Sequence, residues 1–409
     1  MPLPVSTWVE VDLDRFHANL AAVRGLIGPG REILLVAKAD AYGHGAREMA
    51  AAAEAAGVTQ LGVATLHEGL QLRQSGCRLP IVALSPLLAA EIGDAVASGI
   101  DPTVGDEAFA RALSAAAAAA RRPVRFHVEI DTGMGRIGVR EVDAERFLER
   151  VAALPGLRLA SVYTHFPDAD SGDLAFARGQ VERFGALLAR LRARGLAPPR
   201  AHAANSAGTV NLPEALFDWV RVGLVAYGVH PPHDLARPSV SPVLSLRTRL
   251  VQVRELPAGA SISYGRTFTT SRPSRIGVMP VGYGHGYSWR LSNRGEVLIA
   301  GRRAPIVGRV TMDLTMIDVT GVPDVEVGDE VVLFGEQAGA AIPVEEFAAW
   351  SDTLPYEVMC TLGKRVPRLY ARAGRAVRMT TLVGERPEWT AAADEYLRRR
   401  NAGAALGRA

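Results

Sequence analysis

Up to about residue 230 the chain alternates short apolar runs with alanine-rich amphipathic stretches, and this alternation restricts the fold more than any single motif. Ile33–Ala37, Val124–Ile130, Leu159–Thr164 and Val220–Tyr227 read as buried strands. Glu107–Arg122 and Asp173–Arg194 read as helices. In the second, Phe176, Val181, Phe184, Leu187, Leu188 and Leu191 recur at helical spacing with arginines on the other face. Strands buried on both faces and separated by helices are the pattern of parallel βα units. A closed (β/α)8 barrel of TIM type fits the length. An open doubly wound sheet is disfavoured, because no G-x-G-x-x-G follows an early strand.

The texture changes at His230-Pro231-Pro232-His233, where Pro231, Pro232 and Pro238 mark a boundary. Beyond it Leu244–Leu256 alternates in a strand-like way, and Ser263–Phe268, Ile276–Val281, Glu296–Ala300, Ile306–Val310 and Val331–Phe334 follow between glycines and prolines. That spacing predicts a mainly β second domain. The expected division is a barrel over 1–238, a β domain over 239–384 and a helical or disordered tail over 385–409. Arg398-Arg399-Arg400 in that tail reads as a solvated end.

Bulk properties exclude several classes. With 48% hydrophobic and 22% charged residues the chain is too apolar for disorder. A formal charge of +3, with no basic cluster interleaved with aromatics, argues against nucleic acid as a partner. The most apolar stretch, Leu79 to Ile100, is interrupted by Pro86, Glu91 and Asp94, so no membrane span is expected. Neither a secretory signal, a disulfide framework nor a metal-ligand spacing is visible, so the expectation is a cytoplasmic protein without a metal.

The basic residues are unevenly chosen: Lys38 and Lys364 stand against 44 arginines. A lysine kept among arginines can do what arginine cannot, lose its proton and act as a nucleophilic amine. Lys38 ends the first strong strand, and strand ends at the C-terminal side of a barrel carry its active site. Other strand ends carry polar residues as well: His165 after Tyr163-Thr164, Asn205-Ser206 after His202, and Arg221 before Gly223-Leu224. The last two segments offer hydroxyl and backbone N–H donors suited to one phosphate.

The run Val36-Ala37-Lys38-Ala39-Asp40-Ala41-Tyr42-Gly43-His44-Gly45 resembles the cofactor-lysine signature of the alanine racemase family. Further family landmarks follow in order. They are Asp131-Thr132-Gly133-Met134-Gly135-Arg136, Tyr163-Thr164-His165-Phe166, Ala204-Asn205-Ser206, Val220-Arg221-Val222-Gly223, Ser263-Tyr264-Gly265, Gly282-Tyr283-Gly284, Gly308-Arg309-Val310-Thr311-Met312-Asp313, Tyr356-Glu357 and Arg365-Val366-Pro367-Arg368.

The resemblance implies a homodimeric enzyme dependent on pyridoxal 5'-phosphate that converts L-alanine to D-alanine, a peptidoglycan precursor. It implies Lys38 as the cofactor-bearing base and Tyr264 as the second base on the opposite face of the substrate Cα. Cofactor contacts are implied for Tyr42, Arg136, His165, Asn205, Ser206, Arg221, Gly223, Leu224 and Tyr356, with Arg221 facing the pyridine nitrogen. Arg136 and Met312 would meet the substrate carboxylate, and Tyr283 and His285 would line the substrate entrance. The active site would be shared between the two subunits.

Two departures from the family pattern stand out. Glu129 occupies the place where many members carry a carbamylated lysine, and either supplies that anion or is a solvent-facing strand-end carboxylate. His285 replaces an aspartate, which would change the charge at the entrance and bears on strict alanine preference. The alternatives are a broader-specificity or serine racemase, a barrel-fold amino-acid decarboxylase, or a pyridoxal-phosphate carrier.

Overall fold

The computed structural model describes residues 3–231 and 238–406, which form two compact units, His17–Ser241 and Met1–Phe16 with Pro242–Ala409. The first strand, β1 (Thr7–Asp12), therefore belongs with the second unit rather than with the barrel. Thr7, Val9 and Val11 are buried on one of its faces and Trp8 on the other, and it pairs antiparallel with Leu244–Arg249 and parallel with Arg368–Arg372. Pro232 and His233 of the expected boundary lie outside the described residues.

The first unit is built on β2 (Glu32–Val36), β3 (Gln60–Val63), β4 (Ile81–Pro86), β5 (Ile100–Thr103), β6 (Val124–Asp131), the short β7 (Val139–Arg140), β8 (Leu157–Tyr163), β9 (Ala201–His202) and β10 (Trp219–Val222). All but β7 form a closed ring of eight parallel strands. β5 meets β6 at Thr103↔His127, and β10 returns to β2 at Val220↔Ile33. This is the TIM-type barrel that the alternation predicts.

The inner face can be identified from contacts. The Tyr163 hydroxyl on β8 donates to the Leu84 carbonyl on β4 and meets Thr103 on β5, strands that are not its neighbours. Alternation then turns Asp101 and Thr103, His127 and Glu129, Ser161, His202 and Arg221 to the same face. The lumen is divided. Beside this polar half lie Leu34 and Leu84, which approach so closely that a Cβ at Gly62 would lie 2.7 and 2.8 Å from their side chains.

Expected strand Val220–Tyr227 ends early, at Val222. Ser206 Oγ accepts the N–H groups of Gly223 (3.0 Å) and Val225 (3.4 Å), and Tyr227 N–H bonds back to Gly223, turning the chain out of the sheet.

The second unit is mainly β, with a sheet that holds β1 between Leu244–Arg249 and Arg368–Arg372. The run Leu244–Leu256 is not continuous: it splits into Leu244–Arg249 and Gln252–Leu256, which enter different sheets. Ser263–Phe268 is not a strand either. Ser263 (φ 63°) and Gly265 (φ 72°) take up positive φ values incompatible with extended pairing. Ile306–Val310 contributes only an isolated bridge, Ile306↔Ile317, and the paired strand lies earlier, at Arg302–Pro305.

The tail forms a helix over Pro387–Leu406, with Ala393 and Leu397 buried against Trp8, Leu369 and Met379. Of its three arginines, Arg398 and Arg399 are exposed as expected, whereas Arg400 is drawn in. Arg400 holds Glu10 through two bonds of 2.6 and 2.8 Å, while Arg398 and Arg399 pair with Asp394 and Glu395 one turn earlier.

Candidate active site

Lys38 leaves the C-terminal end of β2 half-buried, and the backbone after it is the most strained in the barrel unit. Ala39, Asp40, Ala41 and Tyr42 have φ of 52°, 55°, 54° and 52°, a left-handed turn made without glycine. Each such residue costs roughly 1–2 kcal/mol relative to the right-handed form. The turn persists because neighbours brace it. Glu68 Oε1 accepts the Ala39 N–H (2.8 Å), and its other oxygen accepts those of Ala64 (2.7 Å) and Thr65 (3.1 Å). Asp40 Oδ1 accepts the Ala46 N–H at 2.8 Å, which ties the turn to the helix that follows. Glu68 is a residue that sequence reasoning missed. Its signal was Thr65-x-x-Glu68, a capping box.

The turn carries Tyr42 onto Gly223. A Cβ at position 223 would lie 2.8 Å from the Tyr42 hydroxyl, so only glycine allows this approach. Ser206 Oγ stands 3.0 Å from the Gly223 nitrogen. Two hydroxyls thus converge on the backbone at Gly223, with Leu224 buried beside it. Asn205 has a different task in this arrangement: its Oδ1 caps the following helix at Gly208 N–H (2.8 Å) and its amide donates to the Phe166 carbonyl (3.4 Å).

Arg221 is buried, and its guanidinium is fixed by four bonds. Nη1 meets His202 Nδ1 at 2.8 Å. Nη2 donates to the carbonyls of Thr164 (2.7 Å) and Ala203 (3.0 Å) and meets His165 Nδ1 at 3.0 Å. The guanidinium also lies over the Tyr163 ring, 5.0 Å from its centroid. Burial, followed by the charges of Arg221, Arg136 and Lys38, holds His165 well below the usual imidazole range, so it is neutral. Lys38, Arg136 and Arg221 are thus all close enough for their charges to act on His165.

Glu129 is buried, not a solvent-facing carboxylate. Burial raises its pKa, opposed chiefly by Arg221, then by Tyr163 and Arg136. The loop bearing Arg136 folds back over it, and a Cβ at Gly138 would lie 2.8 Å from the Glu129 carbonyl. Arg136 itself is exposed.

The remaining sequence-derived residues belong to the second unit. Tyr264 is 75% exposed and follows the strained Ser263, whose hydroxyl is anchored on the Arg309 carbonyl (2.7 Å). Tyr283 and Met312 are zipped together through Tyr283 N–H to Thr311 O (3.0 Å) and Gly284 N–H to Met312 O (2.9 Å), and both side chains are exposed. Tyr356 lies at the start of a short helix, Pro355–Cys360. His285 departs from expectation. It is buried, its Nδ1 accepts the Gly282 N–H at 3.2 Å, and burial and Arg365 keep it below its ordinary range. The ring is therefore turned inward and uncharged, so the exchange of aspartate for His285 removes a negative charge without adding a positive one.

Comparison with known proteins agrees with this geometry. Residues 11–231 match the family described as alanine racemase, N-terminal domain, and residues 243–370 its C-terminal domain. The chain is 43% identical to an alanine racemase of Desulfosudis oleivorans over 376 residues, covering 89% of this chain and 96% of that one. It is 42% identical to alanine racemase 2 of Caldanaerobacter subterraneus, covering 90% and 95%. Among solved structures, alanine racemase of Bacillus anthracis with bound L-Ala-P superposes with a TM-score of 0.87 at 35% identity, covering 94% of this chain and 99% of that one. The Clostridium difficile alanine racemase gives 0.88 at 32% identity, covering 92% and 98%. Barrel, β unit and relatives together define an isomerase, an amino-acid racemase. The chain belongs to the alanine racemase family.

Proposed function

We propose that the chain interconverts L- and D-alanine with pyridoxal 5'-phosphate, using Lys38 and Tyr264 as bases on opposite faces of the substrate Cα. The observation that carries this reading is the convergence of Lys38, Tyr42, His165, Ser206, Arg221 and Gly223 at the C-terminal end of one barrel. The donor set suits the cofactor. Tyr42 and Ser206 bring hydroxyls to the Gly223 backbone, a cradle that a Cβ would fill, and a phosphate needs such donors with no carboxylate among them. Leu224, Asn205 and Tyr356 complete that end in this reading.

When bound, the cofactor withdraws electrons from the substrate Cα and renders its proton acidic. Arg221 is a permanent donor and cannot take a proton from a ring nitrogen facing it, which restrains electron withdrawal and suits an enzyme that only moves a proton. Lys38 accepts the proton on one face and Tyr264 returns one on the other, since a single base would restore the original configuration. Tyrosine is a weak base at its ordinary pKa of ~10, so it acts in concert with His165 and Arg221. Arg136 and the Met312 N–H hold the substrate carboxylate, and Tyr283 lines its entrance.

Tyr264, Tyr283, Met312, Leu354 and Tyr356 are large apolar side chains left exposed on the second unit, which supports burial against a second copy. The working form is then a homodimer with Tyr264 delivered to the partner's barrel. D-alanine made in this way would supply peptidoglycan synthesis. Among the described residues no helix is long and apolar enough to cross a membrane.

Glu129 enters this reading as the anion beside Arg136 and Arg221. Its raised pKa fixes the sign of a test. A buried carboxyl with a raised folded pKa is most favourable below its unfolded value and loses that contribution as pH rises through the folded one. Glu129→Gln, which mimics the protonated form, is therefore expected to melt higher than the parent at neutral pH, with the gap closing towards pH 4. Racemisation by the same variant falls on the order of tenfold, because the arginines lose their anion. Thermal melts across pH and polarimetry check the two halves, and parental kinetics would remove Glu129 from the mechanism.

The function itself is tested by following the Cα proton in deuterated water across a panel of L-amino acids. Exchange with loss of optical rotation, greatest for alanine, is the expected result. Release of CO2, or binding of the cofactor without exchange, would overturn it.

A further inference from the structure

The lumen carries more polar side chains than the proposed reaction uses, and they form one line. From the 2.8 Å contact between Arg221 Nη1 and His202 Nδ1, the line continues from His202 Nε2 to Ser161 Oγ at 2.8 Å and from Ser161 Oγ to His127 Nδ1 at 2.6 Å. His127 Nε2 then faces Asp101 Oδ2 at 3.6 Å, and Arg125 Nε holds the same oxygen at 3.2 Å. His127, Ser161 and His202 have no exposed surface, and Arg221 and Asp101 have 4% and 8%.

The direction of each donor is forced by the two ends. Arg221 can only donate, so His202 Nδ1 accepts and its proton sits on Nε2. That N–H donates to Ser161, which frees the serine proton for His127 Nδ1. His127 therefore carries its own proton on Nε2, towards a carboxylate that can only accept. Burial holds both histidines below the usual imidazole range; at His202 Arg221 adds to it, and at His127 Asp101 opposes it with Arg125 adding a smaller push downward. Beyond 3.5 Å the last step is a charge contact rather than a full hydrogen bond, and His127 Nε2 has no hydrogen-bond partner among the described residues.

We propose that Ser161, His127 and Asp101 are positioning residues for Arg221, forming a one-way chain anchored on Asp101 that fixes His202 as an acceptor and the guanidinium in one orientation. A neutral buried histidine has two tautomers of comparable energy, and only one accepts from Arg221. Without Ser161 the Nε2–H has no partner, and the other tautomer would set a donor against a donor. The proposal rests on the reading of Arg221 as the residue facing the ring nitrogen.

The test uses holoenzyme labelled with 15N at histidine, with resonances assigned through His127→Gln and His202→Gln. His127 and His202 are expected as neutral Nε2–H tautomers. Ser161→Ala is expected to mix the tautomers of His202 and to lower kcat about tenfold, the scale of one lost buried hydrogen bond, with KM nearly unchanged. Asp101→Asn, at the far end and less disruptive to fold, loosens the tautomer at His127 and lowers kcat by a smaller factor, about threefold. Parental tautomers and kcat in both variants would overturn the proposal, as would a protonated His202. Arg221→Lys separates the two readings. If it keeps full kcat, the assignment of Arg221 fails and the chain's claim on catalysis goes with it. If it collapses kcat while Ser161→Ala and Asp101→Asn do not, the chain alone is refuted.

Discussion

Lys38→Ala is expected to lose the visible absorbance of bound pyridoxal phosphate and to lower racemisation by at least about 10⁴-fold, since in the proposed mechanism this one residue both holds the cofactor and moves a proton. Lys38→Arg should fare no better. A guanidinium keeps its proton at any working pH, so it can neither attack a carbonyl nor act as a base. The fold should survive either change, because the turn after Lys38 is held by Glu68, Asp40 and Ala46 and not by the lysine side chain. Lys364 supplies the control. It is exposed, and Lys364→Arg should keep both absorbance and activity. Absorbance after dialysis and polarimetry decide the matter. A colourless Lys364→Arg beside a yellow Lys38→Arg would overturn the assignment.

How far the sequence carried depended on whether the signal was local. Barrel strands were legible because burial on both faces leaves uninterrupted apolar runs such as Ile33–Val36, and Lys38 stood out as a candidate because arginine had displaced lysine almost everywhere else. The left-handed turn at Ala39–Tyr42 was not, since alanine and aspartate carry no mark of positive φ and the bracing Glu68 lies about thirty residues away. The membership of Thr7–Asp12 in the second unit was hidden for a related reason: its partners, Leu244–Arg249 and Arg368–Arg372, are hundreds of residues distant. Position alone fell short at two sites. His285 read as a charge at the entrance and Glu129 was left open between a buried anion and a solvent-facing carboxylate, yet both are buried, and burial shifts the pKa of each towards the neutral form. The polar line from Arg221 to Asp101 draws one residue from each of five strands, so no spacing in the chain announces it.

Tyr264→Phe removes a single oxygen from a ring that is 75% exposed, and the strained Ser263 beside it keeps its anchor on Arg309. Folding should be unaffected, whereas racemisation is expected to fall about 10³-fold, within the usual range for a lost acid–base group. The loss should be lopsided. Lys38 still works on its own face, so exchange of the Cα proton with deuterated water should persist from one enantiomer with retention and vanish from the other. Equal loss from both would mean that Tyr264 holds the substrate and moves no proton. Mixing this variant with Lys38→Ala then tests where the tyrosine acts. If each site takes Lys38 from one subunit and Tyr264 from the other, a mixed dimer has one site with both lesions and one with neither. Random exchange makes half the dimers mixed, so about a quarter of parental activity should return from two nearly inactive proteins. If lysine and tyrosine act within one chain, every site in the mixture keeps a lesion and no activity returns.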